Sequence, residues 1–73
     1  MNDKPKETIG DRIRFLREHA GLSRSALARI AYVSRSTVSR WECDEIVPRI
    51  QDVARISAIF DVSCDYIITG NRK

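Results

Sequence analysis

Apolar residues recur along most of this chain at helical spacing. Ile9, Ile13, Leu16 and Ala20 lie four, three and four positions apart, so they share one side of a helix that stops at Gly21. Phe15 lies off that stripe. Ser23 suits the N-cap of a second helix whose inward residues are Leu27, Ala28 and Ala31, with Ile30 near the edge of that face. Leu22, just before the cap, is placed as a hydrophobic staple toward Leu27. After a brief connection at Tyr32-Val33, Ser34 caps a third helix from Arg35 to about Cys43, with Val38 and Trp41 as its apolar pair. Pro48 interrupts the pattern and makes 44–48 a loop. A fourth helix follows, on which Ile50, Val53, Ile56 or Ser57, and Phe60 are expected to face inward. Val62-Ser63 repeats the hydrophobic-then-cap arrangement and opens a short fifth helix, from Cys64 to about Ile68, ending at Gly70. Helices this short are not stable alone in water, so all five are expected to share one core.

Composition narrows the classes of function. At 73 residues, 42% apolar and 32% charged, the chain suits one folded domain rather than a disordered segment. At this length neither a two-lobed enzyme nor a small-molecule effector domain beside a second domain is expected. No apolar run approaches the roughly 20 residues of a membrane span, and Met1 to Thr8 mixes charge signs without an apolar stretch behind it. No membrane association is expected, and the cytoplasm is the expected location. Cys43 and Cys64 stand 21 positions apart with no CxxC neighbour, and read as reduced thiols. With the single His19 they make three metal ligands at most, at spacings unlike any zinc module, so neither a metal nor a cofactor is expected. His19 falls at the end of the first helix, where an imidazole can meet the last carbonyls or solvent. The Ser and Thr residues gather at helix starts, which capping explains, and no catalytic site is expected.

Charge is unevenly distributed. From Arg12 to Arg40 there are seven arginines and one acid, Glu18, a balance of +6; from Trp41 to Asn71, two arginines face six acids, a balance of −4. The net +3 hides a strongly basic half, the footprint expected of a phosphate-facing surface. The third helix concentrates it. With Val38 and Trp41 turned inward, Arg35 with Ser39 and Ser36 with Arg40 form i,i+4 pairs on the other side, with no acid before Glu42. Arginine can read guanine O6 and N7 bidentately, serine is short enough for close approach, and a helix fits the major groove. A helix, a connection of a few residues and this second helix make a helix-turn-helix arrangement.

The segments Ile9 to Arg17, Gly21 to Ala28, Val33 to Glu42 and Phe60 to Gly70 resemble, in order and spacing, the Cro/CI-type (XRE-like) helix-turn-helix family of small DNA-binding transcriptional regulators. The resemblance covers about five-sixths of the chain. It implies an all-α, five-helix, lambda-repressor-like domain over 9–70, preceded by an arm at 1–8 and followed by a tail at 71–73. It implies base reading by Arg35, Ser36, Thr37, Ser39 and Arg40, with Thr37 turned partly inward and ranked lower. DNA-backbone contacts fall on Ser23, Arg24, Ser34 and Arg49. Arg24 stands where the family usually carries Gln, so a charge-assisted phosphate contact, or a direct base contact, is expected in place of an amide one. Arg17 and Glu42 match an internal ion pair that ties the first helix to the third.

Two positions depart from the family pattern. Tyr32 occupies a turn position that is often Gly; a positive φ would strain it, so a slightly altered turn is expected. Asp44-Glu45 puts acids in a loop where relatives carry basic or neutral residues, so that loop is expected to stand away from DNA. A homodimer on an inverted repeat is expected, with interface candidates Val47, Cys64, Tyr66 and Ile68, while Phe60 and Ile67 are assigned to the core. The partner is double-stranded DNA, read through the major groove, and the expected action is repression. Activation through a polymerase contact by the acidic half is the other direction. A different class of reading is an antitoxin-like or adaptor module that uses the same fold to hold a protein such as a toxin.

Overall fold

The protein is described here by a computed structural model over residues 8–71. Most of the expected arm, and Arg72 and Lys73 of the tail, lie outside the described residues. Among those described, five helices and no strand are present: α1 (Ile9–His19), α2 (Arg24–Ala31), α3 (Arg35–Glu42), α4 (Ile50–Phe60) and α5 (Cys64–Thr69).

Short polar side chains set the helix starts. Thr8, Ser23, Ser34 and Ser63 each accept a bond from the backbone N–H three residues on, at Asp11, Ala26, Thr37 and Tyr66. Each such cap contributes about 1 kcal/mol by satisfying an otherwise orphaned donor. At α4 the reach is reversed, and the Asp52 carboxylate accepts from the Arg49 N–H at 3.3 Å. The helix ends are equally regular. Gly21, Tyr32 and Asp61 are left-handed, with φ of 72°, 61° and 56°. The next N–H then turns back five residues: Leu22 to the Arg17 carbonyl, Val33 to Ala28 and Val62 to Ser57, at 3.0, 3.0 and 3.1 Å. Three joints thus share one build of left-handed residue, apolar residue and serine cap.

Every helix contributes to one core: Ile13 from α1, Leu27, Ala28 and Ala31 from α2, Val38 and Trp41 from α3, Val53 and Ile56 from α4, and Ile67 from α5. Phe60 packs against it partly buried. Gly10 lets α1 lie close against the end of α3, since a Cβ there would collide with the Trp41 carbonyl oxygen and come within 2.9 Å of that of Glu42. Two inward assignments are corrected. Ala20 is exposed, because α1 ends at His19 and Ala20 only caps it. Ile50 is 81% exposed: as the first residue of α4 it overhangs the core that Val53 and Ile56 enter.

Candidate nucleic-acid interface

α2 and α3 pack directly on each other, α1 backs α3, and Tyr32, Val33 and Ser34 make the turn between them. The expected alteration of that turn is absent. Tyr32 takes the left-handed conformation itself, at φ 61° and ψ 40°, with its N–H on the Arg29 carbonyl. The joint therefore keeps the geometry of the Gly21 joint.

Because Val38 and Trp41 are buried, the opposite face of α3 is presented outward. Arg35, Ser36 and Arg40 are exposed and Ser39 is half-buried. Thr37 is half-buried, and its hydroxyl lies 2.9 Å from Ser34 Oγ, which also accepts the Thr37 N–H at 3.1 Å. The pair stiffens the start of α3, and Thr37 turns off the outer face. The one acid of α3, Glu42, is 3% exposed, so the outward face carries no negative charge.

A recess lies on either flank. One, of about 330 Å³, is lined by Arg17, Ser23, Arg24, Ser25 and Arg35, and so joins the N-terminal ends of α2 and α3. The other, of about 540 Å³, runs between the α2–α3 turn and the start of α4; Ser34, Thr37, Arg49 and Arg55 are among its lining with Tyr32 and Val47, as is one acid, Asp52. The structure thus brings Ser23 and Arg24 together on one flank, and Ser34 and Arg49 on the other.

Glu42 holds the first flank in place. Arg17 grips it with two bonds, Nε to Oε2 at 2.6 Å and Nη2 to Oε1 at 3.1 Å, while Arg17 Nη1 donates to the Leu22 carbonyl at 2.9 Å. The hydrogen bond to Glu42 raises the Arg17 pKa above the ordinary arginine value, against the lowering effect of burial. Arg24 is a second partner, with Nε on Glu42 Oε1 at 3.0 Å. The expected two-residue bridge is a three-residue network that reaches the start of α2.

The arginines of the basic stretch are accordingly not all on the surface. Arg17 is buried, and so is Arg12, whose Nε and Nη2 donate to the Ile67 and Ile68 carbonyls at 2.8 and 2.9 Å. Sequence reasoning missed this role for Arg12, although a signal was present. Positions 12 and 17 border the Ile9, Ile13, Leu16 stripe on either side, where an arginine is drawn into the packing. Asp44 is also structural. Its carboxylate accepts from Thr8 Oγ1 at 2.8 Å and from the Gly10 N–H at 3.0 Å, fastening the α3–α4 loop to the start of α1. His19 is exposed, with its ring centroid 3.9 Å from that of Phe15.

The interface candidates are dispersed. Val47 is 72% exposed beside Tyr32 in the second recess; Cys64 and Ile68 are exposed on α5; and Tyr66 is partly buried against the core. Both cysteines are exposed free thiols. Among the described residues no cluster of three or more His, Cys, Asp or Glu could hold a metal ion, and no helix is long and apolar enough to cross a membrane.

A helix-turn-helix family model matches residues 13–67. Over 62 residues the chain is 32% identical to the helix-turn-helix-type transcriptional activator BcrR of Enterococcus faecalis, a match covering 85% of this chain and 30% of that protein. Over 65 residues it is 29% identical to repressor protein C2 of Salmonella phage P22, covering 89% of this chain and 30% of the repressor. The chain therefore spans less than a third of the length of these curated relatives. Among solved structures, the P22 c2 repressor in complex with a synthetic operator superimposes with a TM-score of 0.84 at 30% identity, covering 88% of this chain and 97% of that one. SinR of Bacillus subtilis in complex with DNA gives 0.76 at 38% identity, covering 82% and 97%.

Proposed function

The chain belongs to the Cro/CI-type helix-turn-helix family, and from that premise we propose that it is a sequence-specific regulator of transcription that lays α3 in the major groove of duplex DNA. The observation that carries this reading is the acid-free outer face of α3, flanked on both sides by recesses that hold basic side chains and helix-capping serines. A helix in the groove meets base edges along its outer face and a phosphate strand on each side. Arg35, Ser36, Ser39 and Arg40 take the base edges, with Thr37 in a supporting part. Ser23 and Arg24 meet one strand, and Ser34 and Arg49 the other. Glu42 and Arg17 position the set.

One such unit reads only a few base pairs, so the functional species is a homodimer on an inverted repeat, in the cytoplasm where duplex DNA is met. Exposed Val47, Cys64 and Ile68 are its available contact residues, whereas Tyr66 packs partly buried against the core. Repression by occlusion of a promoter is the proposed action, since it needs nothing beyond an occupied site. That both an activator and a repressor are among the relatives makes the direction a matter for a reporter assay. Selection of sites from random duplexes near physiological salt tests the whole reading. It should return a two-fold symmetric motif with half-site centres about 34 Å apart or a multiple of that, and binding that weakens steeply with added salt. A pool with no common motif would refute it.

A further inference from the structure

The α2–α3 turn contains an unusual residue and an unusual neighbour. Among the described residues, three other than glycine have positive φ: Tyr32, Asp44 and Asp61. Aspartate tolerates the left-handed region because its short polar side chain bonds locally, but a tyrosine there is strained and persists only where its surroundings over-determine it. Burial supplies no such support, since Tyr32 is 81% exposed. α4 supplies it instead. The Arg55 guanidinium carbon stands 5.2 Å from the Tyr32 ring centroid, within cation–π range. Arg55 Nη1 also donates to the Ala31 carbonyl at 3.2 Å. That carbonyl ends α2, and the turn's own closing bonds, which go to Ala28 and Arg29, do not use it. Asp52, one turn earlier on α4, lies 3.9 Å from the same Arg55 nitrogen.

We propose that Arg55 and Tyr32 form a clamp by which α4 sets the orientation of α3 relative to α2, so that both are positioning residues for base reading although neither lies on the outer face of α3. A residue between two short helices acts as a pivot. α3 is roughly 12 Å long at 1.5 Å per residue, so a swing of about 10° displaces its far end by about 2 Å. Side-chain placement for specific recognition tolerates only about 0.5 Å. By gripping the last carbonyl of α2 and the ring of the pivot residue together, Arg55 removes that swing. The Gly21 and Asp61 joints have the same backbone closure, but their left-handed residues carry little strain and no arginine stacks on them among the contacts described.

The clamp exists without DNA, while its consequence for specificity rests on the proposed DNA reading; two measurements separate the two. On the free protein, residual dipolar couplings of backbone amides report the α2–α3 angle in wild type, Tyr32→Phe, Tyr32→Gly, Arg55→Met and the Tyr32→Gly/Arg55→Met double variant. Tyr32→Phe, which keeps the ring, should match wild type. Arg55→Met should change or broaden the angle, and its effect should be smaller once Tyr32 is Gly. Should Arg55→Met not fold, Arg55→Lys serves, with a smaller change in the same direction. Binding to selected and random duplexes is then compared. Arg55→Met should narrow the ratio of the two affinities by about two- to fivefold, the equilibrium equivalent of an exposed cation–π contact. An unchanged angle with an intact ratio, even at a lowered melting temperature, overturns the clamp. A wild-type protein that distinguishes no duplex overturns the DNA reading, and the couplings still decide the clamp.

Discussion

Arg12 and Arg17 on α1 and Arg35 and Arg40 on α3 are the same residue type in the same basic stretch, yet their fates are opposite. The α1 pair is buried, each guanidinium consumed by fixed acceptors: two carbonyls at the end of α5 for Arg12, the Glu42 carboxylate and the Leu22 carbonyl for Arg17. The α3 pair is exposed on an acid-free face. Counting charge along the chain treats all four alike. What separates them is the helix face each occupies, because an arginine bordering an apolar stripe must take its hydrogen-bond partners from the protein, whereas one on the opposite face keeps its donors for a ligand.

This contrast can be broken most forcefully at Glu42. Glu42→Ala leaves the buried Arg17 without its carboxylate and should cost about 3–5 kcal/mol in urea unfolding. Arg17→Met should cost less, because Arg24 remains on Glu42. The folded pKa of Arg17 is raised, so on the alkaline side the contribution of its ion pair persists through neutral pH and is lost as strong alkali deprotonates the folded form. Arg12→Met, which strips two buried or part-buried carbonyls of their donor, should destabilise by about 1–3 kcal/mol, read as a lower melting temperature.

The α3 arginines should respond in the other assay. Arg35→Ala or Arg40→Ala should leave the unfolding midpoint near wild type while weakening selected over random DNA by about 1–3 kcal/mol, for a bidentate base contact. Arg24→Gln and Arg49→Ala should weaken both DNAs evenly and reduce the salt slope by about 1 each. If all four variants lost the same affinity on both DNAs, the division between base and backbone contacts would fall. The smallest effect belongs to Arg14→Ala. Its side chain is exposed and its Asp11 partner lies 4.0 Å away, so stability should move by about 0.5 kcal/mol or less.

Several elements were legible in the chain because their causes are local. The serine caps before α2, α3 and α5, the stop at Gly21, the break at Pro48 and the inward faces of α2 and α3 all follow from side-chain type and spacing. The outer face of α3 follows as well, since burying Val38 and Trp41 leaves Arg35, Ser36 and Arg40 no other direction. The pattern misled where an element ends. Ala20 and Ile50 have the right spacing, but at a helix terminus no neighbouring helix remains to cover them.

By itself, then, the sequence determined where the helices start and stop, which faces they bury and which face of α3 is offered, because caps, breakers and periodicity act within a few residues. Tertiary structure alone decided that Arg12 is spent inside, that Arg24 joins Arg17 on Glu42, that Asp44 fastens α1, and that a tyrosine can hold a left-handed turn beneath Arg55. Each of these depends on partners brought together from distant positions: Arg12 with Ile67, Arg24 with Glu42, Gly10 with Asp44, Ala31 with Arg55. Hydrogen bonds and ion pairs act over about 3 Å, and only the packed core sets which groups come that close.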